Sequence, residues 1–288
     1  MRLLRALRYE CFQMFFTKRW WVVPALAALL SGFTVSELQG YEQGDSLAKY
    51  HLAYNAWDVV SRTTQTFYFL AFLAAPLFVY IVGESYLRDR SSNTMPAIFS
   101  RVRSRATWWA VKVLSMFIGA FVYMVLFSLI SLVVSSFFYP FAWHFSSFQL
   151  HPDLAQKALA GYGGSELFKT IPGTTPLLFL LHMWLYSTLS FGTYAVVALV
   201  ISLRVHKPGL PTIIMLGLGM LEFNILNSSL WIPLHSWLMQ MRLSYLTIVN
   251  EYFYFHTFYT LPTSILYYLV LSVLFWLIGD ALVQHDDL

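Results

Sequence analysis

Hydrophobic residues fall in six long blocks, at about 20–36, 66–83, 108–136, 175–203, 210–232 and 262–283, separated by shorter polar segments. A hydrocarbon core about 30 Å thick takes about 20 helical residues to cross. Backbone in lipid must satisfy its own N–H and C=O groups, which a helix does and a lone strand does not. The pattern therefore predicts an all-α integral membrane protein, a single domain over residues 1–288 with six transmembrane helices. Blocks three and four exceed a perpendicular span, so they are expected to tilt or to continue beyond the bilayer.

Composition agrees with the pattern. Hydrophobic residues make up 58% of the chain and charged residues 11%, against roughly 25% charged in an ordinary soluble domain. So few charges cannot coat a soluble globule of 288 residues. The net charge of +4 lies in short segments between apolar blocks, where topology signals belong, and does not point to nucleic acid. The first block follows a basic lead too long for a signal peptide, and no clear Ala-x-Ala site comes after it. The lone cysteine, Cys11, excludes an intrachain disulfide and reads as a small apolar residue.

Lys and Arg set the orientation. With the N-terminus inside, thirteen basic residues lie on the cytoplasmic side (Arg2, Arg5, Arg8, Lys18 and Arg19; Arg88 and Arg90; Arg101, Arg103, Arg105 and Lys112; Arg204 and Lys207). Five, Lys49, Arg62, Lys157, Lys169 and Arg242, lie outside. This positive-inside asymmetry places both termini in the cytoplasm, and a bacterial-type plasma membrane is the expected location. In residues 1–19, Leu3, Leu4, Leu7, Cys11, Met14 and Phe15 project on one helical face, and Arg2, Arg5, Arg8 and Gln13 lie away from it. That predicts an amphipathic helix in the plane of the membrane.

Three segments are expected outside. Residues 37–65, with Glu37, Glu42, Asp45 and Asp58, read as a solvated loop with a short helix. Residues 137–174 begin with an aromatic run and carry Gly161, Gly163 and Gly164 as breakers. Residues 233–261 are too apolar for a free loop and are expected to lie in the interface or to re-enter the membrane as a short helical pair.

Motif absences restrict the chemistry. There is no Gly-x-x-x-x-Gly-Lys-Ser/Thr loop, so this chain does not bind ATP in the P-loop manner. His-Glu-x-x-His and Gly-x-Ser-x-Gly are also missing, and the histidines lack metal-ligand spacing, so no catalytic or metal residues are assigned. Polar groups inside the blocks are functional candidates because they are costly in lipid. Glu222 with Asn224, and His182, are candidates for a substrate path; interhelical hydrogen bonding is the alternative role. They also open two other readings, an ion-coupled secondary transporter using Glu222 and a membrane-embedded enzyme using Glu222 and His182.

The segment between blocks two and three, within residues 84–107, carries the most specific pattern. Glu84 ends the second block; Thr94, an apolar stretch with Met95, Ile98 and Phe99, then Ser100, Arg101, Ser104 and Arg105 follow, and Lys112 lies on the next block. This order and spacing resemble the permease subunits of type-2 ABC transporters, with Asn93 where Gly is usual and Val102 where Pro is usual. Glu10 followed by Lys18 and Arg19 is similar to that family's elbow helix.

The resemblance implies a non-catalytic permease without cofactors of its own. It would pair with a second permease, identical or related, and with two P-loop ATPase subunits that bind ATP and Mg. A cytoplasmic coupling helix over 92–100 would meet the ATPase through Glu84, Thr94, Met95, Ile98, Phe99, Arg101 and Arg105, and drive alternating access. The resemblance favours export, and the aromatic outer segments suggest an amphipathic, lipidic or peptide-like cargo. The loop match is explained by neither competing reading.

Overall fold

A computed structural model of the chain describes residues 2–43, 46–66, 69–83, 85–91, 104–159, 174–205, 207–227 and 261–285. The coupling segment 92–103, residue Glu84, the breaker-rich 160–173 and the apolar 228–260 lie outside the described residues.

Nine principal helices organise what is described: α1 (Arg2–Phe15), α2 (Val22–Glu42), α3 (Ala56–Gln65), α4 (Ser85–Ser91), α5 (Arg105–Ser136), α6 (Pro152–Leu159), α7 (Pro176–Arg204), α8 (Leu210–Asn227) and α9 (Leu261–His285). No strand occurs among the described residues. Four helices, Lys18–Glu42, Arg105–Ser136, Pro176–Arg204 and Pro262–His285, are long and apolar enough to cross a membrane. The molecule is an all-α membrane protein, and these four match blocks one, three, four and six.

Block two is helical but irregular. Two π-helical turns, Leu70–Ala74 and Val79–Gly83, flank a short α-helix, Ala75–Phe78. Pro76 has no N–H to give to the preceding turn, and the ladder is reset around it. The Tyr123 hydroxyl on α5 donates to the Ala74 carbonyl at 3.0 Å and ties this irregular stretch to α5.

Helix starts follow ordinary capping chemistry. The Ser104 hydroxyl accepts from the Thr107 N–H to begin α5, and Thr175, with Pro176 at the first helical position, does the same for α7 through the Leu178 N–H. Asn55 and Asp58 form a reciprocal capping box at the start of α3.

α5 is the hub, with α1, α2, α3, α7 and α9 packed around it. The main core gathers Met14, Trp20, Phe78, Tyr123, Phe127 and Phe191, among others. α7 is buried along most of its length, whereas α9 is held by one narrow seam of Ser264, Tyr268, Gly279 and Val283, at helical spacing. Along that seam Ser264 hydrogen-bonds the Tyr186 hydroxyl and Ser272 meets Thr193 at 2.6 Å. Further along, the Trp109 indole donates to the Trp276 carbonyl at 2.9 Å. Small and hydroxylated residues let two apolar helices approach closely where the hydrophobic effect does not discriminate between lipid and protein.

α1 packs against α5 through Glu10 and Met14, while Leu3 and Leu4 of its apolar face and Phe12 stay exposed, Leu4 at 68%. One expectation changes. Residues 37–65 do not form a solvated loop. α2 runs on to Glu42, and Val35, Leu38, Leu47, Tyr54 and Val59 build a second core with Tyr139, Phe148 and Leu159. Glu37 is ion-paired with Arg62 in a bidentate arrangement.

Candidate functional site

The site begins with a charge in the wrong place for a hydropathy argument. Lys112 lies about one quarter of the way along α5, and no further formal charge follows it until Asp153. Its side chain is fully buried, and an ammonium so placed must be paired. Its Nζ donates to Glu10 Oε1 at 2.5 Å and to Asp89 Oδ2 at 2.5 Å. Glu10 comes from α1 and Asp89 from α4, and both are buried. One cation thus ties three helices together.

The surroundings are aromatic. Lys112 Nζ lies 5.9 Å from the Trp108 ring centroid, and Trp108 packs edge-on against Tyr86 at 6.1 Å. Desolvating three charges costs several kcal/mol per ion before mutual attraction repays it, so the cluster is weak evidence for stability. Its geometric effect is clearer, since any separation of α1, α4 and α5 would leave charges in a dry interior.

A second contact lies at the same end of α5. Arg105 donates from Nη1 to the Val283 and Gln284 carbonyls, at 3.2 Å each. These belong to the last turn of α9, where carbonyls lack helical partners and favour a cation. The first turn of α5 is thereby joined to the end of α9. On α1, burial and the neighbouring Glu10 push the Cys11 thiol above its ordinary range, which keeps it protonated and unreactive at neutral pH.

Of the predicted coupling residues, Arg105 is the one described; Glu84, Thr94, Met95, Ile98, Phe99 and Arg101 lie outside the described residues. Among the path candidates, Glu222 and Asn224 are on α8, with side chains outside what is described. His182 is exposed on α7, and its Nδ1–H donates to the Leu178 carbonyl one turn back at 2.8 Å. It does not line the bundle interior.

Sequence reasoning noted Glu10 and Lys112 separately and gave Asp89 no role. The signal that could have joined them was Lys112 itself, a charge inside an apolar block, which demands a partner. Among the described residues, no group of three or more His, Cys, Asp or Glu is placed to hold a metal ion.

The far end of α5 holds a different acid. Asp58 accepts from the Asn55 N–H at 2.7 Å and from the Ser146 hydroxyl at 2.9 Å. Burial nevertheless pushes its pKa up to about 7, because desolvation outweighs those two hydrogen bonds. The folded protein therefore holds this proton more tightly than the unfolded chain, whose Asp titrates near 3.9. Stability falls as pH rises from about 4 to about 7 and is level above that. Asp58→Asn removes the charge, its amide oxygen accepting from the Asn55 N–H while its NH2 donates to the Ser146 hydroxyl oxygen in place of the bond that Asp58 accepts. Thermal melts in detergent at pH 5 and pH 8 should show the wild-type midpoint dropping by a few degrees while the variant's does not move; equal pH dependence in both proteins would refute the assignment.

No protein-family model, curated protein or solved structure matches the chain.

Proposed function

We propose that this chain is the membrane subunit of a type-2 ABC transporter, working as a permease that separate ATPase subunits drive by alternating access. The full layout would be six spans with both termini in the cytoplasm, α1 as an elbow helix, and a second permease beside it. Cargo would be amphipathic, lipidic or peptide-like, and export is the favoured direction.

The supporting observation is the set of contacts made by the residues that flank positions 92–103. α4 ends at Ser91 and α5 begins at Arg105. On one side the segment leads into Asp89, on the other into Arg105 and Lys112, and all three are engaged in the junction. A push delivered to Asp89, Arg105 or Lys112 would reach α1 through Glu10, α5 through Lys112 and α9 through Arg105. That is the mechanical arrangement a coupling helix needs. The spacing of Thr94, Ser100, Ser104 and Arg105 adds the family resemblance.

Arg105 also holds α9, so the cleaner test leaves it intact. Met95→Ala with Phe99→Ala removes two apolar anchors from the segment. If the segment docks on an ATPase, P-loop ATPase retained in a pull-down from native membranes should fall about 30-fold, the size of one interfacial hot spot of about 2 kcal/mol, with the melting temperature unchanged. ATPase retained and stimulated as in wild type would overturn the coupling role. Absence of any P-loop ATPase from the wild-type pull-down would overturn the family assignment itself.

A further inference from the structure

The aromatic run after α5 is not a flexible linker. Carbonyls of three alternate residues in it are fixed to the start of α3: Pro140 accepts from the Ala56 N–H at 3.2 Å, Ala142 from the Trp57 indole at 2.7 Å, and His144 from the Asn55 amide at 3.0 Å. The Ser147 hydroxyl adds a bond from the Ala53 N–H at 2.8 Å. Tyr139 and Phe145 turn inward and are buried. The segment is therefore held on one side by α3, whose first turn supplies the donors.

Its other large side chains have no such place. Phe137 is 80% exposed and Trp143 78%, with Phe138 and Phe141 also exposed. Four exposed aromatics on one pinned segment are a costly arrangement in water. They are also continuous with a lipid-type surface: Leu126, Leu129 and Val133 are the exposed face of α5 at i, i+3, i+7 spacing, and Phe137 is the next position on that face. No formal charge occurs between Lys112 and Asp153, so the uncharged stretch runs well past the end of the helix.

Length gives the depth. From Lys112 to Phe137 an α-helix rises about 37 Å, which crosses a hydrocarbon core of about 30 Å and ends in the headgroup layer. Trp and other amphipathic aromatic rings are favoured there.

We infer that Phe137, Phe138, Phe141 and Trp143 form a rigid aromatic blade inserted in the headgroup region of the leaflet at the far end of α5, with phospholipid as its partner. The blade seats the second core, and with it the Glu37–Arg62 pair and Asp58, against the membrane surface. This goes beyond the transport proposal and rests only on α5 being a span.

The single native cysteine makes the test direct. In a Cys11→Ser background, nitroxide labels are placed one at a time at Phe137→Cys and Trp143→Cys, with Leu129→Cys as a deep reference and Lys49→Cys as an aqueous one. The protein is reconstituted in phosphatidylcholine–phosphatidylglycerol vesicles. Blade insertion predicts that labels at 137 and 143 collide with oxygen more than with a nickel chelate, between the two references. Nickel accessibility equal to that at position 49 would overturn it. So would labels shielded from both reagents, which would mean that protein covers the patch. Trp143→Phe, a gentler change, gives an independent reading: brominated phospholipid should quench wild-type fluorescence by a larger amount than the variant's, and equal quenching would also overturn the inference.

Discussion

Lys112→Met should lower the melting temperature of the detergent-solubilised protein by about 10 °C. Removing one partner of a buried charge pair costs about 3–5 kcal/mol, and for a chain of this size each kcal/mol moves the midpoint by about 2–4 °C. The substitution preserves bulk and apolar stem, so the loss comes from charge: Glu10 and Asp89 forfeit the cation they share at 2.5 Å on each side. The charge origin has its own test. The triple variant Glu10→Gln, Asp89→Asn, Lys112→Met removes all three formal charges and should recover at least half of the loss. A single variant as stable as wild type would show that the carboxylates do not depend on Lys112. A triple variant no better than the single would show that Lys112 matters for packing rather than for charge.

Gly279→Ala should separate α9 from α5. Gly279 lies under the Trp109 ring, and a methyl group there would overlap the indole carbons. Trp109 is fully buried and donates to the Trp276 carbonyl, so it cannot turn aside without losing that bond. Overpacking of this kind costs about 1–3 kcal/mol, with about 1 kcal/mol more for the hydrogen bond. The expected result is a melting midpoint lower by about 5 °C and a changed near-ultraviolet tryptophan signal. Trp109→Phe in the same chain makes room for the methyl group and should restore part of the stability. No change in the single variant would mean that α9 is free to shift along the seam.

These two contacts show how far local patterns reach. Apolar block length located the four long apolar helices, because a helix in lipid must close its own hydrogen bonds whatever its neighbours are. Asn55 with Asp58, Ser104 and Thr175 mark helix starts legibly, since a cap acts within three residues. The seam of α9 was not legible. That helix is apolar nearly all round, and no periodicity in its hydropathy marks the face that carries Gly279. Only the shape of Trp109 on another helix does so.

Charged groups behaved the same way. Asp58 reads as a loop acid and is buried, because the segment containing Tyr139 and Ser146 folds back over it from much later in the chain. Glu37 and Arg62 pair across 25 residues.

The sequence by itself determined that this is an all-helical membrane protein and where its long apolar helices begin. Each of these depends on neighbours within a few turns. The tertiary structure alone decided what Lys112 is for. Its partner Glu10 is 102 residues away and Asp89 is 23, and a buried ammonium takes whichever carboxylates the packing of α1 and α4 brings within reach, a choice made by helix packing that periodicity does not encode.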